Sequence, residues 1–292
     1  MDVFLTGQLN DWGRIMQKAV RRLAAIVAFA FAGQVHAFTW TALWWNPAES
    51  GWGVTITEQG NVIVLTFLVY GEDRLPHWYE AAAYPGSPPQ TGYPAWTGDM
   101  YESTGPFYGG PFNPATVTTR KVGTVTFSPA TPGTATLKYS IDGVVVTKSI
   151  ERQTFHSIRL VGVYRGVYRV TQSNCAGYPV DDPGNYGSIF VGISNMTTNP
   201  DGVTGNLTTL IGLNEQSCGR LVSGTYKQFG NIFEFANVTC STSNWSSIRF
   251  TDLDVAFVEG MQGNASMQGN VIAQGTDGCQ ARLSVSVQRT VP

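Results

Sequence analysis

Residues 134–152 constrain the fold more than any other stretch. Ala135, Leu137, Tyr139 and Ile141 alternate with Thr134, Thr136, Lys138 and Ser140, and Asp142-Gly143 follows before a second run over 144–152. A period of two puts successive side chains on opposite faces of a strand. Asp-Gly between two such runs supplies the positive φ of a two-residue hairpin turn. The same signature recurs throughout: short alternating runs separated by Gly, Asn, Asp and Pro, with no helical period after residue 37. The fold class expected is all-β.

The punctuation predicts further strands in the first half. They fall at 53–58 and 61–70 around Gln59-Gly60-Asn61, at 75–84 after Gly71-Glu72-Asp73, and at 121–128. Residues 85–120, rich in Pro, Gly and aromatics, read as one long connection, of the kind that forms a functional lid or a mobile loop. In the second half, eight strands are expected to begin near Val163, Tyr186, Gly205, Arg220, Asn231, Ile248, Ala265 and Ala281. Six of the seven tryptophans after residue 37 precede residue 100, and all four cysteines follow residue 170. A composition shift this sharp predicts two domains, a Trp-rich one at 38–157 and a Cys-bearing one at 158–292. Both are expected to be antiparallel, barrel-like, up-and-down meanders.

The Cys-bearing half reads as a duplication. Cys175 and Cys218 lie 43 residues apart, Cys240 and Cys279 lie 39 apart, and Cys218-Gly219-Arg220-Leu221 answers Cys279-Gln280-Ala281-Arg282-Leu283. Similarity at this period marks a repeated supersecondary unit. In an eight-stranded meander the cysteines fall in the first, third, fifth and seventh connections, which all emerge at one end. Four cysteines allow three pairings; the duplication favours Cys175–Cys218 with Cys240–Cys279. A zinc site is disfavoured because no Cys-x-x-Cys pair exists.

The N-terminus reads as an export signal. Arg14, Lys18, Arg21 and Arg22 precede the apolar run 23–32, and Val35 and Ala37 stand where a signal peptidase reads small residues. About ten apolar residues are too few to span a bilayer, which needs about twenty. A helix packed on the body is the alternative, but neither flank resembles a cap. The signal peptide is therefore expected at 1–37, with Met16 as a better start than Met1. The mature chain then carries a net charge near −4 and even-numbered cysteines suited to an oxidising compartment, periplasmic or extracellular. That charge points to neither nucleic acid nor an acidic membrane as partner. No membrane span is expected in the mature chain. Short strands and disulfide-bearing loops also do not suit an outer-membrane barrel.

Familiar catalytic signatures are missing. Only His77 and His156 follow residue 37, too few for a multi-histidine metal site. The chain has no Gly-x-Ser-x-Gly elbow, no His-Glu-x-x-His and no phosphate-cradling loop, so no cofactor or metal is expected. His77, between Pro76 and Trp78, reads as a rim or packing residue. Asp252 and Asp254 share a strand face, but an acid/base pair needs a separation that sequence does not give. Sequons at Asn195, Asn206, Asn237, Asn244 and Asn264 are what Asn- and Thr-rich turns produce by chance, and no glycans are expected.

The densest stretch is Trp44-Trp45-Asn46-Pro47-Ala48-Glu49-Ser50-Gly51-Trp52-Gly53. With Gln59-Gly60, Phe67, Tyr70, Pro76 and Trp78 it resembles a motif shared by uncharacterised secreted or periplasmic proteobacterial proteins. The resemblance continues through Gly98-Asp99-Met100-Tyr101, Thr104-Gly105-Pro106, Lys121-Val122-Gly123 and Asp142-Gly143. It ends at Lys148-Ser149-Ile150-Glu151-Arg152-Gln153 with Phe155, so it covers nearly all of the first domain. It implies export and a β-rich fold, and brings no activity and no site residues; the chain departs from the pattern at His77. The second domain is only loosely similar to small calycin-type barrels.

Read from the residues, Asn46-Pro47 starts a turn, and Gly51 and Gly53 let the backbone bend around Trp52. One reading is an aromatic-lined mouth in which Asn46 and Glu49 bond a ligand between Trp44, Trp45, Trp52, Tyr70, Trp78 and Tyr101. The other is a tryptophan plug closing one barrel end, with Glu49 capping amides of its own turn. Three functions follow. The leading one is a non-enzymatic exported binding or interaction protein whose first domain holds a small molecule, glycan or lipid. The others are an exported hydrolase using Glu49 or another carboxylate as acid/base, and a structural envelope protein without ligand.

Overall fold

The computed structural model describes residues 39–87, 92–175, 186–214, 216–217, 221–240, 245–257, 265–275 and 277–291. The expected signal peptide, Cys218, and the sequons at Asn244 and Asn264 lie outside these described residues. Among them no helix is long and apolar enough to cross a membrane.

Eight strands close the first barrel. They are β1 (Ala42–Trp45), β2 (Gly53–Gln59), β3 (Val62–Tyr70), β4 (Pro76–Pro85), β5 (Trp96–Thr104), β6 (Thr118–Pro129), β7 (Thr134–Ile141) and β8 (Val144–Arg152). Each pairs antiparallel with the next, and β8 returns to β1 through Trp44↔Arg152 and Trp45↔Glu151. The hairpin read at Asp142-Gly143 is present, with φ of 47° and 87° at the two turn residues. The closing seam is short: β1 meets β8 only through Trp44–Trp45 and Glu151–Arg152.

Alternation sorts the side chains. Val54 and Ile56 of β2, Ile63, Leu65 and Phe67 of β3, Ala81 and Ala83 of β4, and Ala135 and Leu137 of β7 are buried inside. Trp44 and Phe127 meet edge to face at 5.1 Å, and Trp40 packs on both Phe127 and Tyr93. Each buried Val, Ile, Leu or Phe among them contributes about 1.5–3 kcal/mol by leaving water. Arg152 is buried beneath this cluster. Its guanidinium donates to the carbonyls of Pro132 (2.8 Å), Thr41 (3.4 Å) and Thr39, and lies 5.1 Å from the Trp44 ring centre. A buried charge of this kind is tolerated because its donors are used.

Residues 85–120 correct the sequence reading. They are not one connection: β5 runs through their middle with Trp96 and Met100 turned inward, and a 3-10 turn at Pro114–Thr116 follows. Gly98 breaks the visible alternation. A Cβ there would stand 2.1 Å from the Ala82 carbonyl oxygen, so the paired strands β4 and β5 approach more closely than any side chain allows.

The second barrel follows the predicted meander. Its main strands are β9 (Gly162–Ser173), β10 (Tyr186–Thr198), β11 (Thr204–Leu213), β13 (Val222–Phe229), β14 (Ile232–Ala236), β16 (Trp245–Phe257), β17 (Ala265–Gly275) and β18 (Gln280–Val291). Two short segments, β12 (Gln216–Ser217) and β15 (Thr239–Cys240), sit in the connections. Successive main strands pair antiparallel, and β18 returns to β9, with Ala281 opposite Ser173. Tyr164, Ile211, Phe233, Ile248, Val271 and Leu283 fill its core.

The disulfide pairing differs from the expected one. Cys175 is bonded to Cys279, which overturns Cys175–Cys218 and Cys240–Cys279. The cause is closure. Cys175 follows β9 and Cys279 precedes β18, and those two strands are neighbours. The first and seventh connections are therefore as adjacent on the rim as the first and third.

Candidate functional site

The first barrel has two unlike ends. At one, the chain enters through Thr39 and leaves toward the second barrel, and the Trp40, Trp44, Tyr93 and Phe127 cluster closes the interior. At the other, connections 46–52, 71–75, 105–117 and 142–143 form a rim. The candidate site is this rim.

Turn 46–52 is built by Asn46. Its side-chain oxygen accepts from the Ala48 amide and its carbonyl from the Glu49 amide, both at 2.9 Å. Gly51, at φ 114°, takes a conformation that other residues rarely adopt and lets the Tyr70 ring lie beside the turn. The Glu49 carboxylate caps no amide of this turn. It accepts from Trp52 Nε1 at 3.1 Å and from Lys148 Nζ at 2.6 Å, and Lys148 in turn lies 5.9 Å from the Trp52 ring centre. The Lys148 hydrogen bond is the main reason that Glu49 ionises below the usual carboxylate range; partial burial opposes it, and the Lys148 charge and Trp52 add to it.

A second charged group occupies the other side of the rim. His77 Nε2 is 3.2 Å from both oxygens of Asp73, and its Nδ1 is 4.0 Å from Glu102. Arg120 then bridges Glu102 (2.7 Å) and Asp142 (2.5 and 3.0 Å). The Leu75 amide and then His77 lower the pKa of Asp73, and Arg120 lowers that of Asp142. Tyr79 stacks on His77 at 6.3 Å, and burial, reinforced by Glu102, raises its phenol.

Around these charges stand exposed apolar side chains: Tyr70, Leu75, Trp78 (47% exposed), Phe107, Tyr108 (96%) and Phe112. Phe107 and Tyr108 lean together at 4.8 Å.

The eight residues picked from sequence divide. Asn46, Glu49, Trp52 and Tyr70 gather at the turn. Trp44 is fully buried in the interior, donating Nε1 to the Trp40 carbonyl at 3.2 Å. Trp45 is half-buried on β1, in register with Glu151. Trp78 and Tyr101 face outward on β4 and β5, with Trp78 opposite Leu68 and Tyr101 opposite Glu80. Sequence reasoning missed Lys148, Asp73, Glu102 and Arg120. Lys148 was within reach, because alternation through Arg152, Ile150 and Lys148 puts all three on one face.

No family model matches the chain, and no curated protein sequence matches it. A solved structure of a protein of unknown function from the DUF3598 family of Nostoc punctiforme is similar with a TM-score of 0.26 and 10% identity, over 85% of this chain and 92% of that one. A score so low carries no argument, and the fold rests on the strand pairings themselves. Among the described residues no group of three or more His, Cys, Asp or Glu could hold a metal ion.

Proposed function

We propose that this chain is an exported, non-enzymatic binding protein of the cell envelope that engages its ligand through the rim of the first barrel. One observation carries the reading: five large apolar side chains, Tyr70, Leu75, Phe107, Tyr108 and Phe112, are exposed at the barrel end formed by connections 46–52, 71–75, 105–117 and 142–143. Apolar exposure concentrated at one end of a barrel is the kind of feature that marks interaction surfaces. The barrel's middle is filled by Phe67, Met100, Phe127 and Leu137, so a ligand is met at the rim and not swallowed. The Cys175–Cys279 bond and the leader-like N-terminus support an oxidising, exported setting. On the motif around Trp52 we place the first barrel with the uncharacterised secreted proteobacterial proteins it resembles.

The hydrolase alternative has less support. A general acid at neutral pH needs a raised pKa, and Lys148 pushes Glu49 the other way.

The test is surface plasmon resonance of the mature chain against phosphatidylglycerol vesicles, soluble peptidoglycan fragments and neutral oligosaccharides. At least one probe is expected to bind. Tyr108→Ser with Phe112→Ser should weaken it about tenfold, roughly the loss of 1.4 kcal/mol, with an unchanged melting temperature. A double variant that binds every probe like the parent rejects the rim.

A further inference from the structure

The outer wall of the first barrel carries a separate cleft, away from the rim. Its volume is about 590 Å³, and Tyr84, Tyr101, Ala82, Asp99, Thr124 and Thr126 line it. The pairings show how it is built. Across β4, β5 and β6 run three rows: Tyr84–Thr97–Thr126, Ala82–Asp99–Thr124 and Glu80–Tyr101–Lys121. The middle row is short because Ala82 is small, so the two tyrosines stand as banks on either side. Four residues along the strand separate their rows, about 13 Å at about 3.3 Å per residue. Both rings are exposed, Tyr84 by 54% and Tyr101 by 38%.

We infer that this cleft binds a neutral glycan chain, a site distinct from the rim and independent of the ligand engaged there. A tyrosine offers an apolar ring face with a polar tip, which matches a sugar ring, apolar on its faces and hydroxylated at its edges. Thr124 in the middle row, and Thr97 and Thr126 beside Tyr84, can both donate and accept hydrogen bonds, and Asp99 accepts. Asp99 is held by Lys121 at 2.8 Å, which leaves its second oxygen to a ligand hydroxyl.

Other occupants fit less well. A peptide strand adds to an open sheet edge, whereas this cleft lies on the face of β4, β5 and β6, each paired with a neighbour on both sides. Nucleic acid and anionic leaflets require a cluster of unpaired cations. Here Glu80 and Asp99 stand on the face, and Lys121 is already neutralised by Asp99. The same charges disfavour an anionic polysaccharide.

The experiment is native electrophoresis of the mature chain in gels containing hydroxyethylcellulose, soluble starch or glycol chitin, with carboxymethylcellulose as the anionic comparison. Retardation by at least one neutral polymer and not by the anionic one is expected. Tyr84→Ala with Tyr101→Ala should weaken it at least about tenfold, since both apolar ring faces are lost. Ala82→Arg, which fills the cleft from an exposed position, should abolish it without altering the melting temperature. Free passage through all three neutral gels overturns the inference. So does retardation that survives both the tyrosine pair and Ala82→Arg. Rim variants such as Tyr108→Ser address the other site, so either proposal can fail while the other stands.

Discussion

At the scale of residues, the rim is an arrangement of opposed charges whose settings are local. Glu49, Asp73 and Asp142 are all held below their ordinary values, by Lys148, by the Leu75 amide with His77, and by Arg120 respectively. A carboxylate lowered by folding contributes stability that is complete above its unfolded pKa. That stability fades as pH falls through the lowered folded value. All three are solvent-exposed, so each contribution is small at neutral pH. Lys148→Met keeps the aliphatic stem and removes the ammonium. Glu49 should then titrate closer to the ordinary carboxylate value, and the variant's small loss of stability should be present near pH 7 and vanish as pH falls through the parent's lowered Glu49 value. The Trp52 Nε1 proton donates to the same carboxylate and serves as the reporter: its NMR resonance should shift with Glu49 at a higher pH in the variant. A Trp52 titration unmoved by the substitution would break the proposed link. The turn itself was legible in the sequence, since Asn46, Pro47 and Gly51 are turn chemistry. The fate of each tryptophan was not. Trp44 and Trp45 are adjacent and therefore point to opposite sides of β1, and the text of the motif treats them alike.

At the scale of elements, legibility tracked alternation. Strands β2, β3, β4, β7 and β8 stand within a residue or two of where period two put them, and all eight main strands of the second barrel begin close to their predicted starts. Two were unreadable for physical reasons. β1 has four residues, too few to show a period, and β5 is interrupted by Gly98, which the close approach of β4 requires. The cysteines teach the complementary lesson. Their placement in odd connections follows from strand counting alone. Partner choice depends on ring closure between β18 and β9, which links positions far apart in the chain. The Cys175–Cys279 bond spans 104 residues, and crosslinks over long loops restrict the unfolded chain most. Cys175→Ser should lower unfolding free energy by about 2–4 kcal/mol in denaturant titrations under non-reducing conditions. Non-reduced peptide mapping should recover a peptide joining Cys175 to Cys279; recovery of Cys175 joined to Cys218 instead would restore the repeat-internal pairing.

At the scale of the molecule, residues 39–292 form one compact unit, and a few polar contacts at the junction explain why. Gln228 is almost wholly buried at the end of β13. Its amide donates to the carbonyls of His156 (2.8 Å) and Gly230 (2.7 Å) and accepts from the Ile158 amide (3.0 Å). Thr154 adds a bond to the Gln228 carbonyl and receives the Gly230 amide, so segment 153–161 is fastened to the β13–β14 hairpin. Beside it Lys227 reaches Glu151 of β8 at 2.6 Å. Phe229 packs so closely on Gly133 that a Cβ there would stand 2.4 Å from its ring. None of this was readable from composition, which showed two halves and a seam but not what crosses it. A buried polar group left without a partner costs about 1–3 kcal/mol. Gln228→Leu would strand a buried amide and two carbonyls together, while leaving both barrel interiors intact. The junction should therefore fail before either barrel does. Calorimetry of the parent is expected to show one cooperative transition, and Gln228→Leu should split it into two. If the variant instead melts in a single transition at a lower temperature, Gln228 serves the second barrel's own core, and the coupling must be sought in Lys227–Glu151 and the Phe229–Gly133 contact.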